Sequence, residues 1–98
     1  MNILLTGGTG FIGQRLLQYL TILEHSVRIL SRSHVENYHT TLCDFTKDKI
    51  PADLFNSIDV VFHLAGFAHD LRNASEIEHL YHAINVDATV RLAELAVI

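Results

Sequence analysis

The sequence LLTGGTGFIG, residues 4–13, decides how we expect this chain to fold. An apolar run over residues 2–6 predicts a buried parallel strand. Four glycines follow within the next seven residues, and a helical pattern begins at Phe11. A strand, a glycine turn and a helix in that order are the context that a dinucleotide-binding loop requires.

The glycines fit two spacings of that loop, and each has a physical role. The tight turn needs backbone angles that a Cβ forbids, which suits Gly7 or Gly8. Gly10 allows a pyrophosphate close to the main chain, and Gly13 allows the new helix to lie close to its strand. The alternative interpretation is a glycine-rich loop that only turns the chain, but the flanking pattern favours nucleotide binding.

The start of the helix is the expected phosphate site. The N–H groups of Gly10, Phe11 and Ile12 are predicted to be free there, and the helix dipole adds to their attraction for an anion.

Composition limits the classes of protein that the chain can belong to. Its 98 residues predict one domain, and 49% apolar with 18% charged residues suits a sheet covered on both faces. A net charge of −4 argues against a nucleic-acid partner. No apolar run approaches the roughly 20 residues that cross a bilayer, so we expect no membrane partner. The single cysteine, Cys43, excludes an internal disulfide and is expected to be a small buried thiol. With no signal peptide expected either, we predict a cytoplasmic protein.

Strands and helices are expected to alternate along the chain. Further apolar runs predict strands at residues 27–30, 40–43 and 60–64, and helical patterns occur at residues 11–23, 52–56 and 73–98. The fold class is therefore α/β: a Rossmann-type parallel sheet, here partial, with helices on both faces and the strand order 3-2-1-4. Ligands bind at the switch point between strands one and four, where the glycine turn faces residues 64–66.

The buried faces of the two long helices follow from their apolar periodicity. On the first helix we expect the buried residues to be Phe11, Ile12, Leu16, Leu17, Leu20 and Leu23. On the last helix we expect Ile77, Leu80, Tyr81, Ile84, Ala88, Leu92 and Leu95, after a capping box formed by Ser75 and Glu78.

The end of the second strand bears on the choice of cofactor. An acidic residue there would accept hydrogen bonds from the ribose 2′-hydroxyl of NAD. This chain has Ser31, Arg32 and Ser33 instead, and a guanidinium with hydroxyls suits the 2′-phosphate of NADP. We therefore expect NAD or NADP, with NADP favoured. The alternative is that Arg32 is a solvated loop residue and that Glu36, for example, supplies the carboxylate.

Asp44 and Phe45 follow the third strand at the same edge of the sheet. The carboxylate could accept a bond from an adenine amino group while the Phe45 N–H reaches a ring nitrogen. Alternatively, Asp44 only ends the strand.

The histidines predict no catalytic or metal site. His79 and His82 lie three residues apart on the expected helix, but no further ligand set completes a metal site. We expect solvated imidazoles there, and a hydrogen-bonded core histidine at His63 rather than a base.

Taken together, four stretches resemble the extended short-chain dehydrogenase/reductase family, the nucleotide-sugar epimerases and dehydratases. They are TGGTGFIG at residues 6–13, CDF at residues 43–45, HLAG at residues 63–66 and NVDAT at residues 85–89. The resemblance implies pyrophosphate binding by Gly7, Gly10, Phe11 and Ile12. It also implies adenine binding by Asp44 and Phe45, contact of Leu64, Ala65 and Gly66 with the nicotinamide-side ribose, and support of the active site by Asn85.

The resemblance also implies an oxidoreductase that acts on a nucleotide sugar, and residues 65–93 look most like bacterial UDP-hexose 4-epimerases. Gly66 and Ala88 are mild departures from the family pattern. The family's catalytic Tyr-x-x-x-Lys is missing, because Tyr19, Tyr38 and Tyr81 are followed four residues later by Leu23, Leu42 and Asn85.

We therefore expect residues 1–98 to be the N-terminal portion of a NAD(P)-binding domain, inactive alone, from an enzyme that forms a homo-oligomer. The alternatives are a non-catalytic dinucleotide-binding or sensing module and an NADP-dependent reductase of the same family.

Overall fold

A four-stranded parallel sheet forms the centre of the computed structural model, which describes residues 1–65, 78 and 82–97. The strands are β1 (Asn2–Thr6), β2 (Ser26–Ser31), β3 (His39–Leu42) and β4 (Val60–His63). The helical elements are α1 (Phe11–Ile22), a 3₁₀ helix (Ala52–Phe55), a π-helical turn (His82–Asp87) and α2 (Ala88–Ala96). The strand order is β3-β2-β1-β4 and every pair is parallel, which confirms the predicted fold class and strand order.

The core lies on both faces of β1. Leu4 and Leu5 are fully buried, and consecutive strand residues point to opposite faces. Leu4 belongs to a cluster with Leu30 and with residues of the 3₁₀ helix and α2. Leu5 belongs to a second cluster with Leu17 of α1 and Ile29. Helical elements therefore cover both faces, and their burial holds β1 at the centre.

The buried face of α1 differs from the predicted one. Its buried residues are Gly13, Leu17 and Leu20, whereas Phe11 is 76% and Ile12 68% exposed. Leu23, expected on the same face, is also exposed. The prediction was wrong at these three positions because it counted only apolar side chains, whereas the first turn of the helix packs against the glycine turn through Gly13.

The described part of the last helix keeps the predicted stripe. Ala88, Leu92 and Leu95 are buried and Ile84 is half-buried. Residues 82–87 form a π-helical turn instead of regular α-helix, which the sequence did not predict. The predicted helix start, with Ser75, Ile77, Leu80 and Tyr81, lies outside the described residues.

The pairing of β1 with β4 sets the position of the site. Thr6 pairs with His63, so both strands end at the same edge of the sheet. The glycine turn after β1 therefore lies beside residues 64–65, at the switch point that the topology predicts.

Candidate dinucleotide-binding site

A cleft of about 220 Å³ opens at the carboxyl edge of the sheet. Its walls come from the glycine turn, the ends of β2, β3 and β4, and the π-helical turn. The lining residues are Gly7, Thr9, Gly10, Leu30, Ser31, Arg32, Cys43, Phe45, Leu64, Ala65 and Ile84. Residues far apart in the sequence thus meet where a ligand of a parallel α/β sheet binds.

Gly7 is the position in the turn where a side chain is least tolerable. Its φ is +75°, a left-handed conformation that favours glycine. A Cβ there would lie 2.5 Å from both the Leu64 carbonyl carbon and the Ala65 nitrogen. The absence of a side chain therefore allows the turn to lie directly against the segment that follows β4.

Gly13 is needed for a second close approach. A Cβ on Gly13 would overlap the carbonyl oxygen of Gly7, so the first turn of α1 could not pack against the glycine turn. At Gly8 and Gly10 a Cβ would have no neighbour closer than 3.5 Å among the described residues. The two sterically required glycines belong to the spacing Gly7-x-x-Gly10-x-x-Gly13.

The N–H groups at the start of α1 only partly match the expectation. The Gly10 N–H was predicted to be free, but it donates to the Gly7 carbonyl at 3.1 Å, so that prediction was wrong. The N–H groups of Phe11 and Ile12 have no acceptor among the residues that the structure describes. Gly10 caps the helix without a side chain, so these two donors stay available at the positive end of the helix dipole.

The end of β2 is cationic. Ser31 and Arg32 line the cleft, and Arg32 is exposed; their contact with the cofactor stays a prediction. The Ser31 hydroxyl accepts a hydrogen bond from the Ser33 N–H at 3.3 Å. Glu36, the alternative source of a carboxylate, is exposed and is not among the residues that line the cleft.

At the end of β3, Phe45 lines the cleft but Asp44 does not. One Asp44 carboxylate oxygen accepts the Thr46 N–H at 2.9 Å and the Thr46 hydroxyl at 2.6 Å. These two hydrogen bonds lower the pKa of Asp44, and the bond from the Thr46 hydroxyl has the larger effect. The carboxylate therefore stabilises the turn after β3, and its contact with adenine stays a prediction.

Cys43 is a buried residue of the cleft wall, as expected for a small buried thiol. Its burial, followed by the charges of Asp48 and Asp44, raises the pKa of the thiol. It therefore stays protonated and is a poor nucleophile.

The end of β4 is held by a chain of hydrogen bonds through His63. Its Nδ1 lies 2.6 Å from the Thr6 hydroxyl, and its Nε2 lies 2.9 Å from the Thr89 hydroxyl. The Thr6 hydroxyl also accepts the Ala65 N–H at 3.2 Å, and the Thr89 hydroxyl donates to the Asn85 carbonyl at 3.1 Å. Burial lowers the pKa of His63, so the ring is neutral near pH 7. His63 is thus a hydrogen-bonded histidine, as predicted, but it is half-buried beside the cleft and is not part of the core.

The remaining predicted site residues lie beside the hydrogen bonds of His63 or outside the described residues. Leu64 and Ala65 line the cleft, whereas Gly66 lies outside the described residues. Asn85 belongs to the π-helical turn, and its neighbour Ile84 lines the cleft.

Sequence reasoning did not identify Ile84, Thr6 or Thr89 as parts of the site. The available signal was Thr6, a hydroxyl at the end of an otherwise apolar strand, which must find a partner when buried.

Two other classes of site have no support in the described part of the chain. No group of three or more metal-ligating side chains occurs among these residues. His82 forms an exposed pair with Asp87 at 3.2 Å, while His79 lies outside the described residues. None of the described helices has the length and apolar character needed to cross a membrane.

Comparison with known sequences identifies relatives of the chain. The epimerase family protein YfhF of Bacillus subtilis strain 168 is 42% identical over an alignment of 69 residues, with coverage of 67% of this chain and 23% of YfhF. The chain thus spans about a quarter of the length of this curated relative.

Solved structures share the fold over most of the chain. MoeE5 in complex with UDP-glucuronic acid and NAD is 29% identical with a TM-score of 0.82, covering 99% of this chain and 33% of MoeE5. UDP-N-acetylglucosamine 4-epimerase from Bacillus cereus is 28% identical with a TM-score of 0.59, covering 85% of this chain and 32% of the epimerase. A family model described as the NAD dependent epimerase/dehydratase family matches residues 3–98. The chain therefore belongs to the NAD dependent epimerase/dehydratase family.

Proposed function

We propose that this chain binds NAD or NADP and forms the N-terminal, cofactor-binding part of a nucleotide-sugar epimerase or dehydratase. The proposal depends on the N–H groups at the start of α1. There the N–H groups of Phe11 and Ile12 have no acceptor within the described residues, beside a cleft lined by Gly7 and Gly10. Such a helix start attracts a pyrophosphate.

The residues around the cleft fit a dinucleotide. We assign the pyrophosphate to the glycine turn and to the N–H groups of Phe11 and Ile12. By resemblance to the family, the adenine goes to the end of β3 and the nicotinamide-side ribose to the segment after β4. The residues concerned are Asp44, Phe45, Leu64, Ala65 and Gly66, with Asn85 in a supporting position.

When bound, the dinucleotide would supply hydride transfer, to and from a sugar carbon. The chain's own residues bind and orient the cofactor. The 98 residues contain no Tyr-x-x-x-Lys pair to move the proton, so we propose that the chain alone turns over no substrate.

A nucleotide sugar is the proposed substrate class of the whole protein. MoeE5 was solved with UDP-glucuronic acid and NAD, and the Bacillus cereus relative is a UDP-N-acetylglucosamine 4-epimerase. Together with the resemblance of residues 65–93, the Bacillus cereus relative supports UDP-hexose 4-epimerisation as the proposed reaction.

For the cofactor we propose NADP over NAD, although MoeE5 was solved with NAD. Arg32 supports this choice, because it lines the cleft at the end of β2 and can bind a 2′-phosphate. Dissociation constants for NADPH and NADH, measured by fluorescence titration, test it. NADPH should bind more tightly, and Arg32→Ala should remove the difference. A tenfold preference for NADH would overturn the choice.

The same titration tests the proposed binding function. The chain should give saturable binding of at least one reduced dinucleotide. No saturable binding of either one, in a sample shown to be folded by circular dichroism, would contradict the function.

A non-catalytic dinucleotide-binding module is the second candidate, because the cleft and the N–H groups of Phe11 and Ile12 would serve such a module equally well. An NADP-dependent reductase of the same family would share this part of the chain. The coding sequence after residue 98 separates these possibilities, since a Tyr-x-x-x-Lys pair encoded there would indicate an enzyme.

A further inference from the structure

The hydrogen bonds through His63 connect four parts of the fold at the edge of the cleft. Thr6 is the last residue of β1, His63 is the last of β4, and Thr89 lies in the first turn of α2. The fourth part is the segment after β4, whose Ala65 N–H donates to the Thr6 hydroxyl. None of the cofactor contacts proposed above uses these bonds.

The directions of these hydrogen bonds can be derived by starting at the Asn85 carbonyl and following the bonds to Thr6. The Thr89 hydroxyl donates to the Asn85 carbonyl, which can only accept. Its oxygen must therefore accept from His63, so Nε2 carries a proton. In a neutral imidazole Nδ1 is then an acceptor, and the Thr6 hydroxyl donates to it.

Burial makes this arrangement costly to change. Thr6 is fully buried, and its oxygen already accepts the Ala65 N–H. If His63 carried a proton on Nδ1, two donors would face that oxygen and the Thr6 hydrogen would lose its acceptor. An unpaired buried donor destabilises a fold.

We propose that His63, as the neutral Nε2–H tautomer, is a positioning residue that fixes the Ala65 N–H and ties α2 to the carboxyl ends of β1 and β4. Ala65 lines the cleft, and Gly7 is packed against the bond between Leu64 and Ala65. His63 thereby holds one wall of the cleft in place for the cofactor. This consequence rests on the proposed dinucleotide binding, whereas the positioning role does not.

Nuclear magnetic resonance of the full 98-residue chain tests the proposal directly. Long-range ¹⁵N correlations of the imidazole should show that Nε2 of His63 is protonated and Nδ1 is unprotonated near neutral pH. Hydrogen exchange should show a protected Ala65 amide. A protonated Nδ1, or an Ala65 amide that exchanges at the rate of an open loop, would overturn it.

Three variants separate positioning from general packing. Thr89→Val removes the hydroxyl with little change in shape, so part of the His63 proton should move to Nδ1. Ala65 should then exchange at least tenfold faster, and NADPH should bind several-fold more weakly. Thr89→Ser should restore all three properties. Thr41→Val is the matched control, because the Thr41 hydroxyl makes no hydrogen bond among the described residues.

The outcomes for the two proposals are distinguishable. If Thr89→Val leaves the tautomer and the Ala65 exchange unchanged, the positioning role is overturned even when NADPH binds. If the wild-type chain binds no dinucleotide but shows the Nε2–H tautomer and a protected Ala65, positioning is supported and the binding function fails. If Thr89→Val does not fold, the wild-type tautomer and Thr89→Ser decide.

Discussion

Gly7→Ala should destabilise the fold far more than the same change at the neighbouring Gly8. The φ of +75° at Gly7 costs a residue with a Cβ about 1–2 kcal/mol. The added carbon would also lie 2.5 Å from two backbone atoms after β4, and overpacking of this kind costs about 1–3 kcal/mol. Together these effects predict a loss of about 2–5 kcal/mol in the free energy of unfolding, out of the roughly 5–15 kcal/mol typical of a domain.

Urea denaturation followed by circular dichroism measures this loss. Gly8→Ala is the matched control, because its Cβ would meet only side-chain atoms of Leu5 and Ile29, at 3.5 Å or more. Its free energy of unfolding should stay within about 1 kcal/mol of the wild-type value. Equal stabilities of the two variants would refute the argument that the turn needs a glycine at position 7 to lie against the segment that follows β4.

Three further predictions concern binding, pH and association. Gly10→Ala should leave the free energy of unfolding within about 0.5 kcal/mol of the wild-type value, because the described residues leave room for its Cβ. The same change should weaken NADPH binding roughly tenfold, or about 1.4 kcal/mol. Unchanged affinity in a titration would contradict pyrophosphate contact at Gly10. Burial lowers the pKa of His63 in the folded chain, so the unfolded chain takes up the proton first. The free energy of unfolding should therefore fall as the pH drops below about 6.5 and level off below the folded pKa of His63. Urea titrations at several pH values should show a smaller fall for His63→Asn than for the wild type. An equal fall in both would show that groups other than His63 cause the pH dependence. The chain should self-associate, because β4 is an edge strand of the described sheet and lies beside a hollow of about 560 Å³. Sedimentation velocity should show this association at concentrations on the order of tens of micromolar, where exposed strand edges aggregate. A single monomeric species would count against association.

The sheet could be predicted from the sequence because its signals are local. The strands of residues 2–6 and 60–63 are short apolar runs, and the glycine turn sets the direction in which the chain leaves β1. Once strands and helices alternate, chirality and short connections leave few arrangements, and the order 3-2-1-4 follows. That order brings the glycine turn, Ser31 and Ala65 to one edge.

Other parts of the site depend on contacts that no local pattern encodes. The Gly10 N–H bonds to the Gly7 carbonyl because of the geometry of the turn, not because of either residue type. Asp44 binds Thr46, two residues away, so the choice between a strand end and an adenine contact could not be made from position alone. The bonds of His63 to Thr6 and Thr89 span 57 and 26 residues and exist only in the folded chain.

The proposed function requires that a dinucleotide's phosphates bind to the N–H groups of Phe11 and Ile12, which have no acceptor in the described part of the chain. Titration of the ¹⁵N-labelled chain with NADPH, followed by amide chemical shifts, measures this directly. We predict that the amides of Phe11 and Ile12 shift most, and more than that of Gly10, which already donates to Gly7. Shifts confined to other parts of the chain, or none at Phe11 and Ile12 under saturating NADPH, would contradict the account.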